Sequence, residues 1–296
     1  ITECVNEKEL KKMEFITLSN GVKMPALGYG TFTMSNEETE RCVLEAIKTG
    51  YRLIDTAQAY YNEEGVGNAI IKCGVPREEL FITTKIWIEN AGYEKAKASL
   101  HESLKKLQIE YIDLVLIHQA FNDYYGTWKA LEEAYKLGKV RAIGVSNFYL
   151  DRFMDLATFS EIKPMVNQLE THVFQQHKND KKFLERYGTK LEAWAPFARG
   201  SQGIFENEVL MKIAKQHNKT IGQVALRFLI QNGIIAIPKS THKNRMEENF
   251  NIFDFSLSDE EMKKIEELDL GENVFMNHEN AEDIDKFFKM FHVGQK

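Results

Sequence analysis

Four side chains that could take part in catalysis follow three successive apolar runs of the sequence: Asp55, Tyr60, Lys85 and His118. A lysine at the end of an apolar strand is partly desolvated, and this disfavours its charge unless a carboxylate lies close. Asp55 could supply that carboxylate. A phenol about 4 Å from the ammonium would interact with it by roughly 4 kcal/mol at an effective dielectric constant of about 20. We therefore expect the pKa of Tyr60 to fall from about 10 toward 7.

A phenol acidified in this way could donate a proton near neutral pH. His118 could orient a carbonyl oxygen beside Tyr60, so the set predicts a site that protonates the anionic oxygen formed when a carbonyl is reduced. Taken singly, each residue also has a structural interpretation: Asp55 and Lys85 as an ion pair, Tyr60 as a packing residue and His118 as a hydrogen-bonded core residue. The coincidence of all four favours the chemical interpretation.

The elements that would position these residues are eight apolar runs, separated by amphipathic helical patterns. Most runs begin apolar and end polar, and in a closed barrel these carboxyl ends meet on one face, where active sites lie. An open doubly wound sheet would instead need a glycine-rich phosphate loop, but Gly28-Tyr29-Gly30 and Gly65-Val66-Gly67 both lack the third glycine. We therefore predict a (β/α)8 TIM barrel. The predicted strands are 26–32, 51–57, 80–86, 111–118, 140–147, 165–170, 191–197 and 234–240.

Elements outside the eight units extend the barrel at both ends. Residues 15–22 predict an N-terminal β-hairpin with Asn20-Gly21 as its turn. Ser258 and Glu261 form a capping box that predicts one C-terminal extra helix, and 281–290 predicts another. The gap before the eighth strand has room for two helices. We expect a single domain over residues 1–296, with 1–12 as an N-terminal extension ahead of Met13 and 270–296 as a C-terminal tail.

The composition narrows the class of partners. The chain has 38 basic and 44 acidic residues and a net charge of −6, which gives no electrostatic footprint for nucleic acid. No run approaches the roughly 18 apolar residues that span a bilayer. Three scattered cysteines predict neither disulfides nor a metal site. We expect a cytoplasmic protein, a monomer or weak homo-oligomer, with a small-molecule substrate and no nucleic-acid, membrane or metal partner.

Six ordered motifs resemble those of the aldo-keto reductase family, from about residue 15 to residue 268. The strongest is 55–60, followed closely by Asn62-Glu63; the others are 84–87, 116–118, 144–148, 167–170 and 237–240. The local sequences are similar to bacterial and protozoan aldehyde and diketo-acid reductases of that family. The resemblance implies NADP(H) bound in extended form across the barrel mouth and hydride transfer to an aldehyde or ketone. Tyr60 would protonate the oxygen, Lys85 and Asp55 would tune Tyr60, and His118 would orient the substrate.

The resemblance also assigns cofactor contacts. It places Ser146, Asn147 and Gln168 on the carboxamide and Trp194 against the nicotinamide ring. Lys239, Ser240 and Arg245 match the residues that contact the 2′-phosphate, and cations beside a hydroxyl do suit a phosphate monoester; a solvated basic surface is the other interpretation. The full set implied is Thr31, Phe32, Asp55, Ser146, Asn147, Gln168, Trp194, Pro196, Phe197, Lys239, Ser240, Arg245, Glu248 and Asn249.

Departures from the family pattern lie on the substrate side, where His118, Trp87 and Gln119 are the expected contacts. Relatives follow the histidine with Trp-Pro, whereas this chain has Gln119-Ala120, so an amide replaces a large apolar wall. Val173 likewise replaces a proline. Two alternatives stay open: a barrel aldolase that uses Lys85 as a Schiff base, and a regulatory protein that keeps the fold and cofactor without turnover.

Overall fold

The computed structural model describes residues 13–294, so the predicted N-terminal extension, 1–12, lies outside the described residues. Strands β1 (Phe15–Thr17) and β2 (Lys23–Pro25) pair antiparallel and form the predicted hairpin. Its turn contains Asn20 and Gly21, and Gly21 adopts a φ of 86°, which a glycine reaches without steric cost. The asparagine side chain accepts from the N–H of Val22 and so helps to close the turn.

Eight parallel strands form the barrel, and each pairs with its neighbour in sequence. The last and first strands meet where the N–H of Ala236 donates to the carbonyl of Ala26 at 2.9 Å, which closes the ring. The predicted (β/α)8 TIM barrel is confirmed, although the ladders are shorter than the apolar runs. The strands are β3 (Gly28–Gly30), β4 (Leu53–Asp55), β5 (Phe81–Ile86), β6 (Ile112–Ile117), β7 (Val140–Ser146), β8 (Val166–Glu170), β9 (Lys190–Trp194) and β10 (Ile235–Ala236).

Helices surround the barrel and also follow it. Two of them, α7 and α8, lie between β9 and β10, as the length of that gap predicts. The capping box at Ser258 and Glu261 is present and begins α10, and the second predicted extra helix is α11. The helices are α1 (Asn36–Thr49), α2 (Glu63–Lys72), α3 (Tyr93–Leu107), α4 (Tyr124–Lys136), α5 (Leu150–Phe159), α6 (Lys178–Arg186), α7 (Glu208–His217), α8 (Ile221–Gln231), α9 (Lys243–Phe250), α10 (Asp259–Glu266) and α11 (Ala281–Met290).

Gly65 and Gly67, the second of the two glycine pairs in the sequence, allow close packing of helices. A Cβ atom at Gly65 would lie 2.4 Å from the carbonyl oxygen of Asn36, and one at Gly67 would lie 2.4 Å from that of Lys106. Both glycines are in α2, so they let this helix approach its neighbours α1 and α3 closely. Across residues 13–294, none of the helices has the length and apolar character needed to cross a membrane.

Candidate active site

The polar ends of β4, β5 and β6 bring the predicted catalytic set together. Asp55 is the last residue of β4, Lys85 is near the end of β5 and His118 follows β6 directly. Tyr60 ends a short 3-10 helix, Gln58–Tyr60, that follows β4. Because parallel strands of a barrel end on one face, residues 63 positions apart in sequence meet at one mouth.

Lys85 Nζ is the centre of this group. It lies 2.5 Å from Asp55 Oδ1, 3.0 Å from the carbonyl oxygen of Thr56 and 3.4 Å from Tyr60 Oη. An ammonium has three protons to donate, and these three acceptors match them. The Asp55 and Lys85 side chains are almost completely buried. The ion pair is therefore shielded from solvent and directed at the phenol.

The charges of the pair do not produce the expected acidic phenol. Burial is the largest influence on the pKa of Lys85 and lowers it, but Asp55, Tyr60 and Glu192 together outweigh burial, so that pKa lies above its ordinary value. For Tyr60, burial raises the pKa more than Lys85 lowers it, and Asp55 raises it further. The expectation of a pKa near 7 is wrong for this structure, because it omitted the desolvation of the phenol and the neutralisation of Lys85 by its carboxylate.

His118 is a neutral ring beside the phenol. Burial, followed by the charge of Lys85, holds the pKa of His118 well below 6.5. Its ring contacts Tyr60 edge-on with centroids 5.6 Å apart, and it contacts Trp87 in the same way at 5.1 Å. A neutral imidazole can donate one hydrogen bond from its ring N–H without competing for the phenolic proton.

Two polar residues of the 55–63 motif fix the turn that carries Tyr60. The side-chain oxygen of Gln58 accepts from the N–H of Trp87 at 2.9 Å, which joins the turn to the end of β5. Asn62 accepts from the hydroxyl of Thr56 at 2.7 Å and donates to the carbonyl of Thr31 at 2.8 Å. The sequence analysis assigned no role to Gln58 or Asn62, although both stand in its strongest motif.

The residues expected at the cofactor carboxamide form one hydrogen-bonded group. Trp194 Nε1 donates to Asn147 Oδ1 at 3.0 Å, and Asn147 Nδ2 donates to the carbonyl of His118 at 3.1 Å. Ser146 Oγ donates to the carbonyl of Gln168 at 3.1 Å. These bonds fix the half-buried indole of Trp194 by its edge and leave its faces for packing.

The residues expected at the 2′-phosphate lie after β10 and on α9. Lys239 and Arg245 are exposed, and neither has a carboxylate partner within 4.0 Å among residues 13–294. Ser240 is buried, and its hydroxyl accepts from the N–H of His242 at 3.1 Å. The neighbouring α9 residue Glu248 accepts from the hydroxyl of Thr220, and Asn249 is buried.

The loop that follows β3 contacts the site through the side chain of Phe32. Its ring contacts Tyr60 with centroids 5.0 Å apart, while the buried hydroxyl of Thr31 donates to the carbonyl of Asp55 at 3.0 Å. After β9, Pro196 is buried and Phe197 is half-buried. The guanidinium of Arg199, which sequence reasoning missed, lies 5.1 Å from the Phe32 ring centroid.

The C-terminal tail forms one wall of the mouth, which the sequence analysis did not anticipate. The Glu170 carboxylate accepts the backbone N–H of Val274 at 2.6 Å and of Phe275 at 3.3 Å. Phe287 on α11 and Phe291, which directly follows α11, contact the ring of Trp87 with centroids 6.0 and 5.5 Å apart. The only sequence signal was the cluster of phenylalanines in α11.

Gln119, the residue that departs from the family pattern, also contacts the tail. Its side-chain oxygen lies 2.7 Å from His278 Nε2, and both residues are buried. Burial is the main cause that lowers the pKa of His278 to about 4, so this ring is neutral. Gln119 therefore closes the mouth together with His278. A cavity of about 300 Å³ lies alongside, lined by Asn147, Tyr149, Asp151, Arg152, His278, Glu279, Ala281 and Ile284.

The fold and the grouped polar residues define a barrel oxidoreductase, and comparison with known proteins agrees. The sequence model of the Aldo/keto reductase family matches residues 24–270, and the chain belongs to that family. Glyoxal reductase of Bacillus subtilis (strain 168) is 49% identical over 264 residues, covering 88% of this chain and 95% of that protein. The 9,11-endoperoxide prostaglandin H2 reductase of Trypanosoma cruzi (strain CL Brener) is 47% identical over 262 residues, covering 88% and 93%.

A solved structure shows the same architecture. The Bombyx mori aldo-keto reductase, crystallised in complex with NADP, matches with a TM-score of 0.86 at 35% sequence identity, covering 92% of this chain and 97% of that one. The family expected from the six motifs is confirmed, and so is the barrel fold expected from the apolar runs. The chain is thus an enzyme of the carbonyl-reducing aldo/keto reductase family.

Proposed function

We propose that this enzyme reduces an aldehyde or ketone to the alcohol with NADPH, and that Tyr60 donates the proton. The observation that carries the proposal is the position of Lys85 Nζ, 2.5 Å from Asp55 Oδ1 and 3.4 Å from Tyr60 Oη, beside the neutral ring of His118. A buried cation hydrogen-bonded to a phenol stabilises the phenolate that remains after proton transfer.

The chain's own residues fit an extended nicotinamide cofactor with a 2′-phosphate. Trp194 offers an indole face fixed at its edge by Asn147, which suits a flat ring. Lys239 and Arg245 are exposed cations without carboxylate partners among residues 13–294, which suits a phosphate dianion. NADP and NADPH complexes of structural relatives support the same assignment. When bound, the reduced nicotinamide supplies the hydride.

The protonation states of Tyr60 and Lys85 suit the direction of reduction. Because burial raises the pKa of Tyr60, the phenol holds its proton at neutral pH and can give it to the carbonyl oxygen as negative charge develops there. Lys85 remains an ammonium because Asp55 stabilises its charge. His118 is neutral and can donate a hydrogen bond to the same oxygen. After the alcohol leaves, solvent returns a proton to Tyr60.

The aldolase alternative is disfavoured by the state of Lys85. A Schiff base needs a neutral amine with a free lone pair, but this amine is buried, carries a raised pKa and donates to three oxygens. The regulatory alternative has the same site as the enzyme. It is distinguished by measurement: a regulator would bind NADPH and reduce nothing.

Small aldehydes and dicarbonyls are the substrate class we propose, since curated relatives bear the names glyoxal reductase and methylglyoxal reductase. The closure of the mouth by the rings of Trp87, Phe287 and Phe291 supports a small substrate. The test is NADPH oxidation, followed at the absorbance of the reduced nicotinamide, across glyoxal, methylglyoxal, short aldehydes and simple ketones. No turnover with any of them, despite tight NADPH binding, would contradict the proposal and favour the regulatory protein.

A further inference from the structure

Glu192 is a buried carboxyl group in the barrel interior that the proposed reaction does not use. It lies in β9 opposite Gln168 of β8, and it is fully buried. Gln168 Nε2 donates to Glu192 Oε2 at 3.0 Å and also to Asp55 Oδ2 at 2.9 Å. One amide group thus joins Glu192 to the carboxylate that holds Lys85. The second oxygen, Glu192 Oε1, has no hydrogen-bond partner among the described residues.

The position of Glu192 relates it to the proposed nicotinamide site. Glu192 and Trp194 are two residues apart on the same strand, so their side chains leave the strand on the same face. Two residues of a strand span about 7 Å. Glu192 therefore lies one layer of side chains below the indole that we propose packs against the nicotinamide.

The ionisation of a carboxyl group in this position depends on the charges around it. Its neighbours in β8 and β10 are the uncharged Gln168 and Ile235, while Asp55 of β4 and Lys85 of β5 are the charged groups that act on it. Burial, followed by the charge of Asp55, raises the pKa of Glu192 to about 8. The group therefore holds its proton at neutral pH and loses it under mildly alkaline conditions.

We propose that Glu192 gains or loses a proton according to the redox state of the bound cofactor, and so sets the relative affinity for NADP+ and NADPH. The proposal rests on the proposed cofactor site. The oxidised nicotinamide ring carries a positive charge and the reduced ring does not. An ionised Glu192 below Trp194 therefore favours the oxidised form, and binding of NADP+ releases a proton from Glu192 to solvent. At interior distances of about 10 Å the expected preference is roughly three- to tenfold.

The test measures dissociation constants of NADP+ and NADPH between pH 6.5 and 9.5 by quenching of tryptophan fluorescence. The ratio of the two constants is the useful quantity, because the 2′-phosphate ionises alike in both forms and cancels. In the unaltered protein we expect NADP+ to gain about three- to tenfold over NADPH as the pH rises. Glu192→Gln keeps the shape and the acceptor for Gln168 but cannot ionise, so its ratio should stay constant within about twofold.

Glu279→Gln is the matched control, because it removes an exposed carboxyl group at the same mouth. Its ratio should follow that of the unaltered protein. If Glu192→Gln retains the full pH dependence, or if the unaltered protein shows none, the proposal is overturned while the cofactor site stands. If the unaltered protein binds neither nucleotide, the proposed function is overturned with it.

A second measurement does not depend on the folding of a variant. Titration calorimetry of the unaltered protein near pH 8, in buffers of different ionisation enthalpy, gives the number of protons released on binding. We expect more protons to be released with NADP+ than with NADPH. Equal release would overturn the proposal. A merely structural role for Glu192 would change both dissociation constants by the same factor at every pH.

Discussion

Gln119 Oε1 accepts a hydrogen bond from His278 Nε2 at 2.7 Å, across 159 positions of sequence. The contact joins the end of β6 to the C-terminal tail, directly after His118. The carbonyl oxygen of the glutamine can only accept, so the neutral imidazole carries its proton on Nε2. The amide that replaces the family's tryptophan thus has a specific partner in this chain.

Gln119→Ala should loosen the tail. It removes the hydrogen-bond acceptor of the buried His278 ring N–H, and a buried N–H left unsatisfied costs about 1–3 kcal/mol. We expect faster limited proteolysis within 270–294 and a KM for small aldehydes raised several-fold, with kcat changed less. Gln108→Ala, a change at the outer end of α3, is the control and should leave both unchanged. An unaltered proteolysis rate would show that other contacts hold the tail.

Phe287→Ala should enlarge the mouth. The ring of Phe287 packs against Trp87, and an aromatic pair contributes about 0.5–1.5 kcal/mol beyond its area. We expect the KM for apolar aldehydes to rise about threefold to tenfold, with kcat within about twofold. Met290→Ala on the same helix is the control, because Met290 is 72% exposed. Equal effects of the two changes would remove Phe287 from the substrate wall.

Tyr60→Phe should nearly abolish carbonyl reduction. A positioned general acid accelerates a reaction by about 10²–10⁴-fold, so we expect kcat to fall by that factor. The dissociation constant of NADPH should stay within about threefold of its original value. Tyr61→Phe alters a side chain that is 78% exposed and serves as the control. A Tyr60→Phe enzyme that keeps most of its turnover would exclude Tyr60 as the proton donor.

Arg245→Ala should weaken the binding of NADPH much more than the binding of NADH. Loss of a charge-assisted contact to the 2′-phosphate costs about 1.5–3 kcal/mol, or roughly 10- to 100-fold in the dissociation constant of NADPH. NADH binding should change by less than about twofold. Lys243→Ala is the control, since Lys243 Nζ is already paired with Glu45 at 3.1 Å. Equal losses for NADPH and NADH would show that no 2′-phosphate binds at Arg245.

Glu192 should make the fold less stable as the pH rises. Its folded pKa of about 8 lies above the ordinary 4.5, so the folded state holds a proton that the unfolded state has lost between these values. Stability therefore falls through that window, by roughly 5 kcal/mol in total at about 1.4 kcal/mol per pKa unit. The Tm of Glu192→Gln should exceed that of the unaltered protein by a margin that grows by roughly 5 °C from pH 5 to pH 8. A constant margin would contradict a raised pKa.

Much of the architecture follows from sequence pattern. Apolar runs that end polar predict a barrel, and its parallel strands bring Asp55, Lys85 and His118 to one mouth without further information. The capping box at Ser258 and Glu261 locates a helix because both bonds are local. The glycine spacing excludes a phosphate loop, and the structure assigns Gly65 and Gly67 to helix packing instead.

The sequence alone determined the fold and the grouping of Asp55, Tyr60, Lys85 and His118, because these depend on periodicity and on the direction of the strands. It determined the family through the resemblance of six motifs. Only the tertiary structure decided the direction in which the pKa of Tyr60 moves, since burial and two opposite charges compete over a few ångströms. It also decided that Glu192 meets Asp55 through Gln168, and that His278 meets Gln119. Such contacts join residues far apart in the chain, and no local pattern of residue types encodes their distances.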